Sequence, residues 1–297
     1  MSAGLSVLIP VYNWDVRDLV SSLTMQIADW PGPVEIILFD DFSTEIFRQM
    51  NRELASQPNV RYQELPRNVG RTKIRNHLAA VAQHEWLLLL DNDSLLPDPQ
   101  FLARYAAARH QAVVLIGGTS YAATPPLEAD LYLRWHYGRV REARTAATRQ
   151  TAPHRQLTIN NALIRAEIFR QFPLDEHLTD YGHEDTKLGE QLATAQVPVV
   201  HLDNPVVHTG LEPAAAFLKK SEQAVRNLAR VYRSDGLGTG SRLLRIALQL
   251  RRLGLAPVAR VALRTVAPAL QQQLLSAAPS LRQFDLLKLH WLLQQLA

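Results

Sequence analysis

The chain has 297 residues, a formal net charge of +4, no cysteine, and 47% hydrophobic residues. That length allows one large α/β domain with an appendage or two modest domains, and the apolar content supports a sizeable core and excludes global disorder; the missing cysteines exclude disulfides and thiolate metal sites. The charge is divided unevenly, with 19 Lys+Arg against 25 Asp+Glu in residues 1–212 and 13 against 3 in residues 213–297, so an acidic body carries a basic tail.

In chain order, residues 5–9 are a β-rich apolar run punctuated by Pro10, Tyr12 and Asn13. Asp15 is placed to cap a helix whose apolar positions Val16, Leu19, Val20, Leu23 and Ile27 recur at helical spacing. Trp30-Pro31-Gly32-Pro33 breaks it. Residues 34–39 (VEIILF) read as a second strand ending on Asp40-Asp41, and 60–62 as a third leading into Pro66-Arg67-Asn68-Val69-Gly70. A helix is predicted over 71–83. The run WLLLL, residues 86–90, then reads as a fully buried strand that stops on Asp91-Asn92-Asp93.

Pro97 and Pro99 open a helix to His110, and 113–116 form a strand before Gly117-Gly118. The spacing predicts a helix over 127–144 and a polar strand over 156–164, then a helix from Ala166 and a loop over 175–182. A helix over 184–195 and short strands at 197–201 and 206–208 complete the body. From Pro213 the chain is helical, with breaks at 236–240 and at Pro257, Pro268 and Pro279. Strands alternating with helices across short connections predict a mostly parallel sheet flanked by helices. The expected division is a body over 1–212 and a basic helical extension over 213–297.

Acidic residues end three of these segments: Asp40-Asp41, Asp91-Asn92-Asp93 and Glu184-Asp185. Carboxylates at the carboxyl end of a buried strand are costly unless paired, and a divalent cation is their usual partner. In an open α/β sheet this is also the edge where ligands bind.

The ordered set SVLIPVYN, ILFDDFST, RNVGRTKIRN, LLLLDNDSLLP, NNALIR, GHEDTKLGEQL and a lone HTG resembles the family 2 glycosyltransferases of the GT-A fold over roughly residues 5–210. The resemblance implies a GT-A-type mostly parallel sheet and an inverting transfer of a sugar from a nucleotide diphosphate donor to an acceptor hydroxyl. It implies that Pro10 and Tyr12 flank the nucleobase and that Asp41 accepts a hydrogen bond from the uracil ring N–H. Asp40 then supports the turn. Arg71 or Arg75 approaches the base or the diphosphate, where a guanidinium suits a planar or anionic partner.

In the same resemblance Asp91-Asn92-Asp93 is the DxD motif. Asp93 is the direct metal ligand, Asp91 lies near the ribose or a metal-bound water, and His208 is a third ligand. Imidazole with carboxylate favours Mn²⁺ over Mg²⁺. Asp185 is the catalytic base, with Glu184 and His183 shaping the acceptor site. Relatives carry a tryptophan just before the paired acids; Tyr181 stands nearby here instead. Residues 119–151 fall where the family varies, and Trp135 and Tyr137 are candidates for stacking on a sugar or for packing in the core.

The expected partners are a UDP-sugar donor and a glycan, lipid-linked or protein acceptor. The arginines interleaved with leucines in the tail add an anionic membrane surface. No nucleic-acid module accompanies that charge. The N-terminal residues lack a signal peptide's basic start and long apolar core, and no run approaches about eighteen apolar residues. The expected location is therefore the cytoplasm, peripheral at the inner face of the membrane. Two rival readings remain, a nucleotidyltransferase that makes nucleotide-sugars and a non-catalytic nucleotide-sugar-binding protein. The first needs a glycine-rich loop where Pro10-Val11-Tyr12-Asn13 stands, and an intact Asp93, Asp185 and His208 disfavours the second.

Overall fold

The computed structural model describes residues 3–178 and 182–297, which form two compact units. The first spans residues up to 122 with 143–179 and 191–210; the second comprises 123–142, 180–190 and 211–297. In the first unit, β1 (Leu5–Val11), α1 (Arg17–Thr24), β2 (Val34–Asp40), α2 (Glu45–Arg52), β3 (Val60–Glu64), α3 (Arg71–Val81) and β4 (Trp86–Leu90) alternate as the sequence predicts. They continue into β5 (Ser94–Leu95), α4 (Phe101–Ala108), β6 (Val114–Ile116) and β7 (Thr119–Ser120). Next in the chain are α5 (Tyr132–Tyr137), α6 (Ala146–Gln150), β8 (Asn161–Arg165) and α7 (Ala166–Gln171), with α5 in the second unit. Then come α8 (Glu184–Thr194), whose residues up to Glu190 belong to the second unit, β9 (Val199–His201) and β10 (Val206–His208). The C-terminal helices are α9 (Ala214–Asp235), α10 (Arg242–Arg252), α11 (Ala256–Leu274) and α12 (Leu281–Gln295).

Seven strands form the central sheet in the order β3-β2-β1-β4-β8-β6-β9, parallel except for β8, which runs antiparallel to both β4 and β6. Leu87, Leu88, Leu89 and Leu90 are almost wholly excluded from solvent, so both faces of this strand are buried, which explains the unbroken apolar run. The β1–β4 ladder stops at Leu8 opposite Leu89, while the β1–β2 ladder continues to Val11 opposite Asp40. Pro10, which has no N–H to donate, lies beyond the last β4 partner. The sheet therefore opens at the carboxyl edge between β1 and β4, where strand order reverses.

Several predicted boundaries shift for identifiable reasons. Asp15 does not cap α1 from the N-cap position. Its Oδ1 accepts from Arg17 N at 3.1 Å and its carboxylate grips the Arg17 guanidinium, so the helix begins at Arg17. The polar strand shortens to β8 because buried Asn161 is committed to a network at its start. Its Nδ2 donates to Gly118 O (2.9 Å) and Asn204 O (2.8 Å), and its Oδ1 accepts from Tyr105 Oη (2.7 Å). The helix predicted over 127–144 resolves into a 3₁₀ turn, the six-residue α5 and a π turn over Gly138–Glu142.

Nearby, the Arg149 guanidinium donates to the carbonyls of Ile116 (3.1 Å), Gly117 (3.0 Å) and Leu202 (2.7 Å), and stands 2.6 Å from His201 Nδ1. Gly118, at φ +90°, is the close approach that admits it: a Cβ there would strike the guanidinium.

In the second unit, Leu133, Phe217, Leu270, Leu274, Phe284 and Leu287 share one core, and Val225, Leu228, Leu244, Ala247, Leu292 and Leu293 another. Tyr137 packs into the first, its ring tilted against Phe217 with centroids 5.3 Å apart and edge-on to Phe284 at 5.6 Å. Tyr137 is a packing residue. Among the described residues no helix is long and apolar enough to cross a membrane.

Candidate active site

The site begins with two acids at the end of β2. Asp40 supports the turn, its Oδ1 accepting from Ser43 N (2.7 Å) and its Oδ2 from Tyr62 Oη (3.1 Å). Asp41 reaches the other way. Its Oδ1 accepts from Val69 N at 2.6 Å and its Oδ2 from Gly70 N at 3.0 Å, while its carbonyl accepts from Asn68 Nδ2. The RNVG segment is thus moulded around one carboxylate, leaving its remaining lone pairs for a ligand. Burial pushes the Asp41 carboxyl above its ordinary range, and the two backbone N–H groups oppose that. Tyr12 is half-exposed, and its carbonyl accepts from Asn92 Nδ2 at 3.3 Å, tying the β1 loop to the DND turn.

The sequence places Asp91 beside the metal or the ribose. In the fold its carboxylate is taken by two guanidinium groups, Arg75 Nη2 hydrogen-bonding Oδ1 and Arg71 Nη2 lying 3.8 Å from Oδ2. Arg75 is only 4% exposed and Arg71 about half, because both project from the start of α3 and only the second reaches solvent. Burial disfavours the Asp91 anion, but the Arg75 and Arg71 charges outweigh it and hold the carboxyl below its usual range. The arginine expected at the diphosphate therefore divides into an inner anchor, Arg75, and an outer cation, Arg71.

Asp93 faces elsewhere. A second sheet, β5-β10-β7, pairs His208 antiparallel with Ser94, the residue after the DND turn. That pairing sets His208 Nδ1 3.4 Å from Asp93 Oδ1, and Tyr121 meets the imidazole edge-on at 5.3 Å. Thr209 N (2.9 Å) and Oγ1 (2.8 Å) both donate to the Asp93 carbonyl, fixing the turn against the strand end. At Gly210 a Cβ would overlap the Asp93 carboxylate. Of the HTG triplet, sequence reasoning singles out only His208; the threonine and glycine beside it are the signal for these supports.

Three observations test whether this pair suits a divalent cation. Asp93 Oδ1 is buried and accepts no hydrogen bond among the described residues. An imidazole nitrogen stands beside it, and Gly210 keeps the far side of the carboxylate clear of a side chain. No group of three or more His, Asp or Glu could hold a metal among the described residues. A pair nonetheless fits a cation that draws the rest of its shell from diphosphate oxygens and water. Next to the turn lies a cavity of about 430 Å³ whose lining includes Asn92, Ser94, Thr209, Trp14, Asp18 and Phe47.

Glu184 and Asp185 open α8 in the second unit, with Glu184 buried. The chain enters this helix through Gly182 (φ +94°) and His183 (φ +72°), both left-handed. Asn227 Nδ2 donates to Gly182 O at 3.2 Å, and His183 Nδ1 lies 3.1 Å from Thr186 Oγ1. A Cβ on Gly182 would press on Ala224, so packing and φ both require glycine there. Burial pushes the His183 imidazole down to about 4, with nearby Glu184 working against it. Tyr181, the residue standing near the family's tryptophan position, lies outside the described residues.

A search among curated protein sequences finds no match. Among solved structures, the mannosyltransferase PcManGT from Pyrobaculum calidifontis, in complex with GDP-Man and Mn²⁺, is similar at 17% identity with a TM-score of 0.62, covering 99% of this chain and 86% of its own. S. aureus TarS 1–349 is similar at 18% identity with a TM-score of 0.52, covering 97% and 90%. The same fragment in complex with UDP-GlcNAc gives 16% and 0.52 over the same shares. These likenesses show the fold, a GT-A-type α/β sheet. The family model described as glycosyl transferase family 2 matches residues 6–172, more than half of the chain and the part that carries Asp41, Arg71, Arg75 and the DND turn; the chain belongs to that family.

Proposed function

We propose that the protein is an inverting, metal-dependent glycosyltransferase. It moves a hexosyl or N-acetylhexosaminyl group from a nucleoside diphosphate donor, in the first instance a UDP-sugar, to an acceptor hydroxyl in glycan synthesis. The observation that carries this is the seating of the DND turn against the strand ending on His208, with Asp93 Oδ1 buried and turned to the imidazole. The solved complexes of similar proteins with GDP-Man and Mn²⁺ and with UDP-GlcNAc support the donor class.

In this reading Pro10 and Tyr12 flank the base and Asp41 accepts a hydrogen bond from it. Arg71 attracts the diphosphate, while Arg75 and Asp91 hold each other as the inner support. Asp93 and His208 hold the cation, with Asn92 bracing the turn. A bound divalent cation, Mn²⁺ before Mg²⁺ for a mixed imidazole and carboxylate set, offsets charge on the departing diphosphate. Asp185 takes the acceptor proton as the hydroxyl oxygen bonds to the anomeric carbon and the bond to the nucleotide breaks on the opposite face. No covalent enzyme intermediate is needed. Glu184 and His183 shape the acceptor side, and the acceptor is a glycan, lipid-linked or protein hydroxyl. The tail's charge suits an anionic membrane at the inner face of the cell, where the protein works peripherally from the cytoplasm.

A thermal-shift panel of UDP-GlcNAc, UDP-glucose and GDP-mannose, each with and without Mn²⁺, tests the reading. A ligand that binds only the folded state raises the melting temperature by mass action. One nucleotide-sugar should stabilise the protein, and only with the metal present. A flat panel sinks the proposal.

A further inference from the structure

The corner between α10 and α11 has an apolar outer side. Leu253 is 62% exposed, Leu255 48%, Val258 69% and Val261 66%, all within nine residues of chain. Gly254 turns the corner at φ +70°, and nothing lies within 4 Å of where its Cβ would stand, so the corner projects clear of the unit's body. The inward faces of these helices are also apolar, with Leu244, Ala247, Leu270 and Leu274 buried in the cores. A surface helix ordinarily turns polar residues outward. Here the outward stripe of α11 continues through Ala262, Thr265 and Val266. Contiguous exposed apolar residues of this kind mark a contact surface.

Charge identifies the partner. Residues 236–284 contain seven arginines and no aspartate or glutamate. Arg251 and Arg252 sit exposed immediately before Leu253. A second copy docked symmetrically through this face would set one acid-free arginine field against another, and like-charge repulsion opposes that pairing. An anionic lipid leaflet satisfies both properties at once, because apolar tips enter the acyl boundary while arginines meet the headgroups. With no helix able to span among the described residues, the contact is with the surface.

We propose that the α10–α11 corner is a shallow insertion element, with Leu253, Leu255, Val258 and Val261 entering an anionic leaflet and Arg251 and Arg252 on its headgroups. The inference rests on the reading of the basic tail as a membrane-facing surface and adds insertion to attraction by charge.

The test is co-sedimentation of the full chain with vesicles of phosphatidylcholine alone or mixed with phosphatidylglycerol. The wild type should partition onto the mixed vesicles, and added salt should weaken this. The triple variant L253S/V258S/V261S should lose at least about tenfold of that partitioning with an unchanged circular dichroism spectrum, since the replaced side chains are exposed. R251E/R252E should lose it as well. Equal partitioning of the triple variant and the wild type overturns insertion while leaving the attraction by charge in place. No partitioning of the wild type overturns both. Concentration-dependent self-association that the triple substitution abolishes, without vesicle binding, gives the face to a second copy and also overturns the proposal.

Discussion

His208 Nδ1 stands 3.4 Å from Asp93 Oδ1 because two strands of no more than three residues pair edge to edge, His208 opposite Ser94. More than a hundred residues separate the two side chains in the chain, and the β10 pairing closes that distance.

Asp93→Asn and His208→Ala should each remove the Mn²⁺-dependent part of nucleotide stabilisation and lower turnover by on the order of 100-fold or more, since losing even a supporting contact at a metal site costs 10–100-fold. Chelation should reduce the wild type in the same way and leave the variants unchanged. Gly210→Ala, which crowds the Asp93 carboxylate, should give a milder form of the same signature. Thermal shift with and without Mn²⁺, alongside donor turnover, reads all three.

Asp91→Asn should behave differently. It leaves the Arg75 guanidinium buried without its counter-charge, a change that costs about 3–5 kcal/mol in comparable buried pairs. Urea unfolding should show that loss with no nucleotide present. The Asp91 carboxyl is held below its ordinary range, so the folded state binds its proton less readily than the unfolded chain does. Its stabilisation is therefore complete above the unfolded value of about 4 and lost as pH falls through the lower folded value. The stabilities of wild type and variant should converge in acid.

His183 carries the opposite kind of charge and the same sign of pH dependence. Burial lowers its imidazole to about 4, so the unfolded chain binds more protons between its own value near 6.5 and that pH. Stability should fall as pH drops through this window. His183→Asn, which keeps a residue tolerant of φ +72°, should flatten part of that slope. His201 and His290 are lowered in the same sense by burial and add to the slope. Melting temperature measured against pH separates the contributions.

Asp185→Asn should cut turnover by roughly 10²–10⁴-fold, the range for a positioned general base, while donor affinity stays within a factor of a few. Equal loss of donor binding, measured by titration of the nucleotide-sugar, would show a structural or ligand role for this carboxylate.

The parallel strands β2 and β4 are legible because each is a short apolar run closed by a polar stop, VEIILF before Asp40-Asp41 and WLLLL before Asp91-Asn92-Asp93. The antiparallel β8 was harder to place, since Asn160 and Asn161 enter it through side-chain hydrogen bonds that no periodicity records. The helix expected over 127–144 failed for a related reason. Arg134 is buried under Phe217 and paired with Glu142, so the segment follows those anchors through a π turn. The acidic stops pointed to Asp41 and Asp93 and the family resemblance to His208, but the commitment of Asp91 to two arginines depends on how α3 packs on β1 and β2 and had no local signature.

The stretch from residue 236 to 284 holds no lysine, histidine, tyrosine or carboxylate, so arginine supplies all of its side-chain charge. Guanidinium groups stay protonated throughout the biological pH range. The α10–α11 surface consequently keeps a constant charge where other basic faces fade or strengthen with acidity, and it offers no amine to acylate. In the proposed membrane contact, control over this surface falls to the surrounding ions, to lipid composition and to modification of hydroxyls such as Ser241 and Thr265.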